Sequence, residues 1–372
     1  MTRVLQISAD RSKRGILQRG SSAFLRQEAY AEKFGTLDVI AFTLESDGAQ
    51  EFHAGPLTLI PTHSSSKWFY GWNALQIART LQKPDVVSAQ DPFETGLVAW
   101  RIAKRLGVPL HIQIHTDFLS PAYAKHSLLN RVRVRIARFV LARADGIRVV
   151  SERIKDSLEA RPTERGWSLG RARSWKLAAV PTVLPIFADI ERLRGLTPSA
   201  TLQARFERFQ WCVLIVSRLE PEKHVALAIE AFVRSAPQEA CLIIVGDGSG
   251  LASLQKMARS RGVGERVFFE ANVEAAPYYA LADIVLVTSE YEGYGLVIEE
   301  ALGLGIPVLA TDVGSSRELG AQVARPYEFP AALHAWFQTG SRKGELKQQP
   351  YHSFEEYVEK YCADIETCAK KQ

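Results

Sequence analysis

The chain has 372 residues, 47% of them hydrophobic and 23% charged. That composition is globular and long enough for two cores; no low-complexity tract is present, and no stretch approaches the roughly eighteen unbroken apolar residues of a membrane span. The net charge of +5 conceals an asymmetry: residues 1–180 hold 27 Lys and Arg against 16 Asp and Glu, whereas 181–372 stand at −6, so two domains with different partners are expected. The opening MTRVLQISAD enters a strand directly, without the apolar core and small-residue cleavage site of a signal peptide. Four cysteines, at 212, 241, 362 and 368, show no C-x-x-C spacing. Cys212 and Cys241 lie in apolar strand patterns and read as buried thiols of a reduced, cytosolic protein.

In chain order, the first half alternates apolar, β-branched runs with helical patterns. Strands are expected at 3–9, 37–44, 57–61, 85–90, 110–115 and 146–151, with helices near 21–34, 67–82, 93–106 and 127–143. The last of these helices sets Arg131, Arg135 and Arg138 on one stripe and Leu129, Val132, Ile136 and Val140 on another. Such a helix either lies on anionic lipid or presents a solvated basic face above an apolar side packed in the core, the commoner arrangement. The proline-bearing segment 180–199 has no clean period and marks the join between a domain at 1–182 and one at 183–352. Strands then recur at 211–217, 241–246, 266–271, 283–289 and 306–311. Apolar strands alternating with helices imply parallel sheets covered on both faces, hence an α/β chain of two doubly wound domains. Residues 353–372 read as a closing helix with Phe354, Tyr357, Tyr361 and Ile365 on one face and a capping box from Ser353 to Glu356. Its aromatic stripe needs a docking place, and a return to the first domain supplies one.

Four stretches carry candidate chemistry. SRLEPEKH (217–224) follows the first strand of the second half, so Arg218 and Lys223 flank a helix N-terminus suited to an anion; a solvent-exposed basic loop is the plainer alternative. GDGSG (246–250) is either a tight turn or a place where backbone approaches phosphate, through Gly246 and Gly248. EYEGYGLVIEEALGLGIPVLAT (290–311) lies between two apolar strands, with room for one loop and one helix. Glu292 and Glu300 thus sit at the carboxyl end of a strand, where open parallel sheets bind ligands; in isolation both would be solvated carboxylates. HIQIHTDFLS (111–120) ends a strand with His115, which alone is as readily structural as functional.

In their order (strand–SRLEPEK, strand–GDG, strand–TSEYEGYG, a second Glu eight residues on, then GIPVLATDVG) these stretches resemble the nucleotide-sugar half of a GT-B glycosyltransferase, in particular the retaining glycosyltransferase family 4. The likeness is close from Trp211 to Glu318 and one of layout elsewhere. It implies two Rossmann-like domains facing a central cleft and closing over the donor. By the resemblance, Glu292 and the amides of Gly293, Tyr294 and Gly295 hold the donor sugar. Glu300 binds the ribose as a bidentate acceptor for a diol, with the adjacent Glu299 as its rival. Arg218 and Lys223 take the diphosphate, and His115 faces the sugar. The turn at 14–22 approaches the phosphates through Gly20, with Gly15 a second choice. Two departures leave the base open: Ala271 replaces the family's glycine near the base pocket, and the run after Asp312 is short.

The resemblance implies a retaining transfer of a sugar from a UDP- or GDP-sugar to an acceptor hydroxyl, in glycan or glycolipid synthesis, with no cofactor and no metal. The family has no D-x-D triplet to hold a cation, and this chain contains none, which leaves Arg218, Lys223 and helix amides to stabilise the departing diphosphate. An epimerase or hydrolase on the same fold would share the donor site without an acceptor. A nucleic-acid-binding protein built on the basic half would leave SRLEPEK and EGYGLVIEE unexplained. The expected location is cytoplasmic, with peripheral docking to the membrane through Arg131, Arg135 and Arg138 as the open alternative.

Overall fold

The computed structural model describes residues 1–10, 15–159 and 176–371. They divide into two compact units: residues 1–119, 127–185 and 351–372 form the first, and 120–126 with 186–350 the second. The helix Pro121–His126 thus belongs with the second unit, and the chain's last helix with the first.

Among the described residues of the first unit, eight strands make one sheet: β1 (Thr2–Ser8), β2 (Gly35–Ala41), β3 (Phe52–Ala54), β4 (Leu57–Pro61), β5 (Val86–Ala89), β6 (Leu110–Ile114), β7 (Gly146–Val149) and β8 (Pro181–Val183). Their order is β3-β4-β2-β1-β5-β6-β7-β8, parallel throughout except for the β3–β4 hairpin. The central strands β5 and β6 are short and buried along their whole length, as expected of a sheet covered on both sides. The three-residue strands β3 and β8 carry too little pattern to be read from sequence.

One face of this sheet is polar. Register pairs Gln6 with Ser88, Ser88 with His111, and Gln113 with Arg148, so the five side chains share a side. Over them lies the closing helix Phe354–Ala369. Tyr361 Oη accepts from Gln113 Nε2 at 2.8 Å and donates to Gln6 Oε1 at 3.2 Å. His111 Nδ1 meets Ser88 Oγ at 3.1 Å, and its Nε2 meets Asp364 at 2.9 Å. Arg148, almost wholly buried, donates to Leu184 O at 3.0 Å and Gln113 Oε1 at 3.1 Å, with its guanidinium 4.9 Å from the Tyr361 ring centre. The expected aromatic stripe therefore docks through its hydroxyls as much as its rings. Ser353 caps the helix by accepting from Glu356 N, but Glu356 returns to His352 N, one residue before the cap.

The second unit has six parallel strands: β9 (Trp211–Val216), β10 (Ala240–Val245), β11 (Val267–Glu270), β12 (Ile284–Val287), β13 (Val308–Ala310) and β14 (Gln322–Val323), in the order β11-β10-β9-β12-β13-β14. Val213, Ile215, Leu242 and Ile244 meet Phe232, Phe329 and Trp336 in its core. The segment 180–199, read as having no clean period, contains β8 and the helix Ile190–Arg194. All four cysteines are free and buried, and Cys212 and Cys241 occupy paired positions on β9 and β10. Among the described residues no helix is long and apolar enough to cross a membrane.

The polar layer generates a stability prediction. Tyr361→Phe deletes one hydroxyl, strands Gln6 Oε1 and leaves Gln113 Nε2 only its bond to Ser88 Oγ, so denaturant unfolding should show a loss of about 1–3 kcal/mol. Glu359→Gln, which breaks only the exposed pair with Lys33, should cost under about 0.5 kcal/mol in the same assay.

Candidate functional site

β9 and β12 are neighbours in the sheet but far apart in sequence, because the strand order reverses between them. Helices from opposite faces diverge at such a point and leave a crevice at the strands' carboxyl ends. Two of the singled-out loops emerge there, 217–224 from β9 and 288–295 from β12, and they bond to each other. Glu290 N donates to Glu222 O at 2.8 Å, and Thr288 Oγ1 to Lys223 O at 3.0 Å.

The junction positions the charged groups. Lys223 Nζ lies 2.5 Å from Glu292 Oε1, which also accepts from Ser289 Oγ at 2.7 Å. Both partners of this ion pair are partly buried, whereas Arg218 is largely exposed and meets Glu222 Oε1 at 3.0 Å. After Glu292 the chain turns through Gly293, Tyr294 and Gly295 into the helix Leu296–Gly303, with Gly295 as its N-cap. The first-turn amides of that helix open beside the ion pair's loop, an arrangement that favours an anion.

Glu299 and Glu300 are adjacent on this helix and face different surroundings. Glu299 is buried beside Tyr294; burial, opposed by the Tyr294 hydroxyl and reinforced by the charge of Glu300, pushes its pKa up to about 8. Glu300 keeps some exposure and accepts from Tyr279 Oη at 2.6 Å. Burial raises its pKa, while Tyr279 and Arg192 work against that rise. Of the two, Glu300 retains access to solvent, and Glu299 lies inside the unit, where burial favours its neutral acid.

The 246–250 loop packs backbone to backbone on the 217–220 loop. A Cβ on Gly246, whose φ is +147°, would stand 1.8 Å from Ser217 O, so this position admits only glycine. A Cβ on Gly248 would stand 2.7 Å from the Leu219 backbone. Both glycines thus have a packing reason for their identity.

In the first unit, His115 follows β6 directly and is partly buried. Burial, then the charges of Arg148 and Arg26, push its pKa down to about 3, so it is neutral at physiological pH. Gly20 precedes Ser21, whose hydroxyl caps the helix Ser22–Phe34; Gly15 lies against Asp10. Arg14, at the start of the 14–22 turn, is outside the described residues.

Comparison with known proteins decides the kinship. The Glycosyl transferases group 1 family matches residues 204–323, and Glycosyltransferase Family 4 matches residues 28–165. The chain belongs to glycosyltransferase family 4. Among curated members, D-inositol 3-phosphate glycosyltransferase of Rhodococcus erythropolis is 30% identical over 291 residues, 73% of this chain and 64% of that one. GDP-mannose-dependent alpha-mannosyltransferase of Mycobacterium tuberculosis is 30% identical over 247 residues, 63% of this chain and 57% of that one. The chain therefore spans less than two thirds of the length of these relatives. Among solved structures, HepE of Anabaena in complex with UDP-glucose superposes with a TM-score of 0.68, covering 100% of this chain and 98% of that one. At 19% identity that likeness is one of fold, the GT-B fold.

In this family 4 chain, the second unit brings together Arg218, Lys223, Glu292, Gly293, Tyr294, Gly295 and Glu300, while His115 and Gly20 lie in the first. Sequence reading missed three contributors. Gly314 (φ +51°) lies so near Tyr294 O that an added Cβ would stand 2.3 Å away, and Ser315 N donates to the same carbonyl at 2.8 Å. Tyr279 holds Glu300. The helix Pro121–His126 places His126 Nε2 2.8 Å from Glu290 and sets Tyr123 edge-on to Tyr291. Only the glycine in TDVG offered a sequence signal; the other contacts are long-range.

The neutral Glu299 has a pH signature. The folded protein keeps its proton up to about pH 8, whereas the unfolded chain releases it near the ordinary 4.5. Its contribution to stability is therefore full at acid pH and lost as pH rises from about 5 to about 8, with a slope of at most ~1.4 kcal/mol per pH unit. Glu299→Gln stays neutral and should flatten that slope when denaturant midpoints are measured across the window. Parallel curves for the two proteins would show that Glu299 is ionised in the fold.

Proposed function

We propose that the chain transfers a sugar, with retention, from a UDP- or GDP-sugar to an acceptor hydroxyl, and that the transfer needs neither metal nor other cofactor. The observation that carries this reading is the Lys223–Glu292 pair at the β9/β12 switch point, beside a helix N-terminus and eight residues before Glu300. The names of relatives agree with it: one is GDP-mannose-dependent, and HepE holds UDP-glucose.

In this reading the resting ion pair is a placeholder. A donor presents sugar hydroxyls to Glu292 and a diphosphate to Lys223, so neither charge is left buried without a partner when they separate. Glu300 takes the ribose diol. As the bond from the anomeric carbon to the phosphate oxygen breaks, negative charge grows on the diphosphate. Arg218, Lys223 and the first-turn amides then stabilise the transition state more than the ground state. The acceptor oxygen bonds to the anomeric carbon from the same face, and its proton passes to the departing phosphate oxygen. His115, uncharged, contributes a hydrogen bond rather than a proton. The acceptor class is a sugar or a lipid-borne hydroxyl.

Lys223→Ala should lower kcat by about 10²–10³, the scale for loss of one such stabilising donor, with a smaller change in KM. EDTA should leave the wild-type rate unchanged. Loss of activity in EDTA, restored by Mg²⁺ or Mn²⁺, in an enzyme that tolerates Lys223→Ala would overturn the metal-free reading. For the ribose contact, UDP or GDP at about 100 times its Kd should add ~2.7 kcal/mol in a thermal-shift assay. Glu300→Gln should remove most of that gain while the free protein melts as before; an undiminished gain would exclude Glu300.

A further inference from the structure

Glu300 is held from outside the two loops of the switch point. Between β11 and β12 the chain makes a four-residue helix, Ala276–Tyr279, with Pro277 in its first turn. Its last residue reaches Glu300: Tyr279 is 2% exposed, and its hydroxyl donates to Glu300 Oε2 at 2.6 Å. Burial first, and then the charge of Glu300, raise the Tyr279 pKa well above its ordinary value. The phenol therefore keeps its proton and is the donor of this bond.

That hydroxyl sets two properties of the carboxylate. It engages Oε2 and so fixes the rotation of the group, while Oε1 has no hydrogen-bond partner among the described residues. A carboxylate offers about four acceptor positions, so about three remain for a ligand. The same charge-assisted bond is the larger of the two effects that oppose the neutralising influence of burial on Glu300. The smaller is the charge of Arg192, on the helix Ile190–Arg194, which is exposed and already paired with Glu274 at 3.1 Å. Water screens a charge so placed. Glu299, beside Glu300 on the same helix, is a further titratable neighbour.

An acceptor tells a vicinal diol from a single hydroxyl only if it must meet both hydroxyls at once. A carboxylate free to turn can settle on the hydroxyl that is present. One held in a single rotation is left with an unmet acceptor when a hydroxyl is missing, and that costs more.

We propose that Tyr279 is a specificity-determining positioning residue: by fixing Glu300 it makes the site demand both hydroxyls of a ribose, and so separates a nucleoside diphosphate from its 2′-deoxy counterpart. The proposal rests on the glycosyl-transfer reading, in which Glu300 meets the ribose diol.

The test is isothermal titration calorimetry of UDP, GDP and their 2′-deoxy counterparts on the wild-type chain, Tyr279→Phe, Glu300→Ala and the double variant. In the wild type, the ribonucleotide that binds should do so about 10–100-fold more tightly than its deoxy form, the scale of one hydrogen bond to a charged group. Tyr279→Phe should shrink that ratio to about threefold or less and weaken the ribonucleotide itself about tenfold. Phenylalanine keeps the buried ring, and Glu300 retains solvent, so this variant should melt close to the wild type. On the Glu300→Ala background Tyr279→Phe should change neither quantity, because the tyrosine then has no carboxylate to place. Acidification gives a second readout. The contact needs the carboxylate, so affinity falls as pH drops through the Glu300 pKa; loss of the Tyr279 bond raises that pKa, and the variant should weaken at a higher pH than the wild type.

Tyr279→Phe with the affinity and the preference of the wild type would overturn the proposal and leave the glycosyl-transfer reading standing. So would a further loss on the Glu300→Ala background, which would mark the tyrosine as structural. Wild-type protein that binds ribo and deoxy forms alike would remove the ribose contact and the proposal together. A wild type that binds neither UDP nor GDP would overturn the glycosyl-transfer reading itself.

Discussion

Parallel strands cannot be joined by tight turns, and that constraint organises the second unit. Each connection must cross over the sheet, and where the crossovers change direction the carboxyl ends of β9 and β12 become neighbours. Two loops some seventy residues apart in sequence are then forced side by side and stitched through Glu290 N–Glu222 O. The Lys223–Glu292 pair is a consequence of this junction: the sheet holds the loops in place before any ligand arrives. Gly246 and Gly314 serve the same end, since each lets one loop lie against another at a distance no side chain permits.

The two units use polarity in opposite ways. The second buries an apolar core of the ordinary kind, with Phe232, Phe329 and Trp336 against β-branched strands. The first inserts a hydrogen-bonded layer between its sheet and the closing helix, built on Gln6, Ser88, His111, Gln113 and Arg148. Such a layer adds little net stability when satisfied and costs much when broken. It also leaves the helix only one register in which every partner is met, which an apolar stripe alone would not enforce. Burial and, after it, the charge of the same guanidinium keep His115 uncharged, so the scaffold that docks the last helix contributes to the character of a candidate site residue.

Environment, rather than residue type, separates the neighbours Glu299 and Glu300. One turns into the unit against Tyr294 and holds a proton; the other turns toward the surface and accepts from Tyr279. Either could satisfy a carboxylate requirement on paper. The helix phase, fixed by burial of Ile298, Ala301 and Leu302, decides which one keeps access to solvent.

Much was already determined by sequence, for local reasons. Apolar, β-branched runs such as CVLIV and CLIIV must be buried parallel strands, because a sheet covered on both faces leaves them no wet side. The order SRLEPEK, GDG and EGYG, with a second acid eight residues on, pointed to the family and to most of the candidate site. What sequence could not determine depends on contacts between distant residues. The short strands β3, β8 and β14 exist only as partners of longer ones. The assignment of Glu299 to the interior, the placement of His126 on Glu290, and the hydroxyl docking of Tyr361 all require knowing what lies across from each side chain. The basic helix is the clearest case. Its periodicity allowed either a packed or an exposed apolar stripe, and only tertiary structure, which runs out of core at its first turn, left Leu128, Leu129 and Val132 in water.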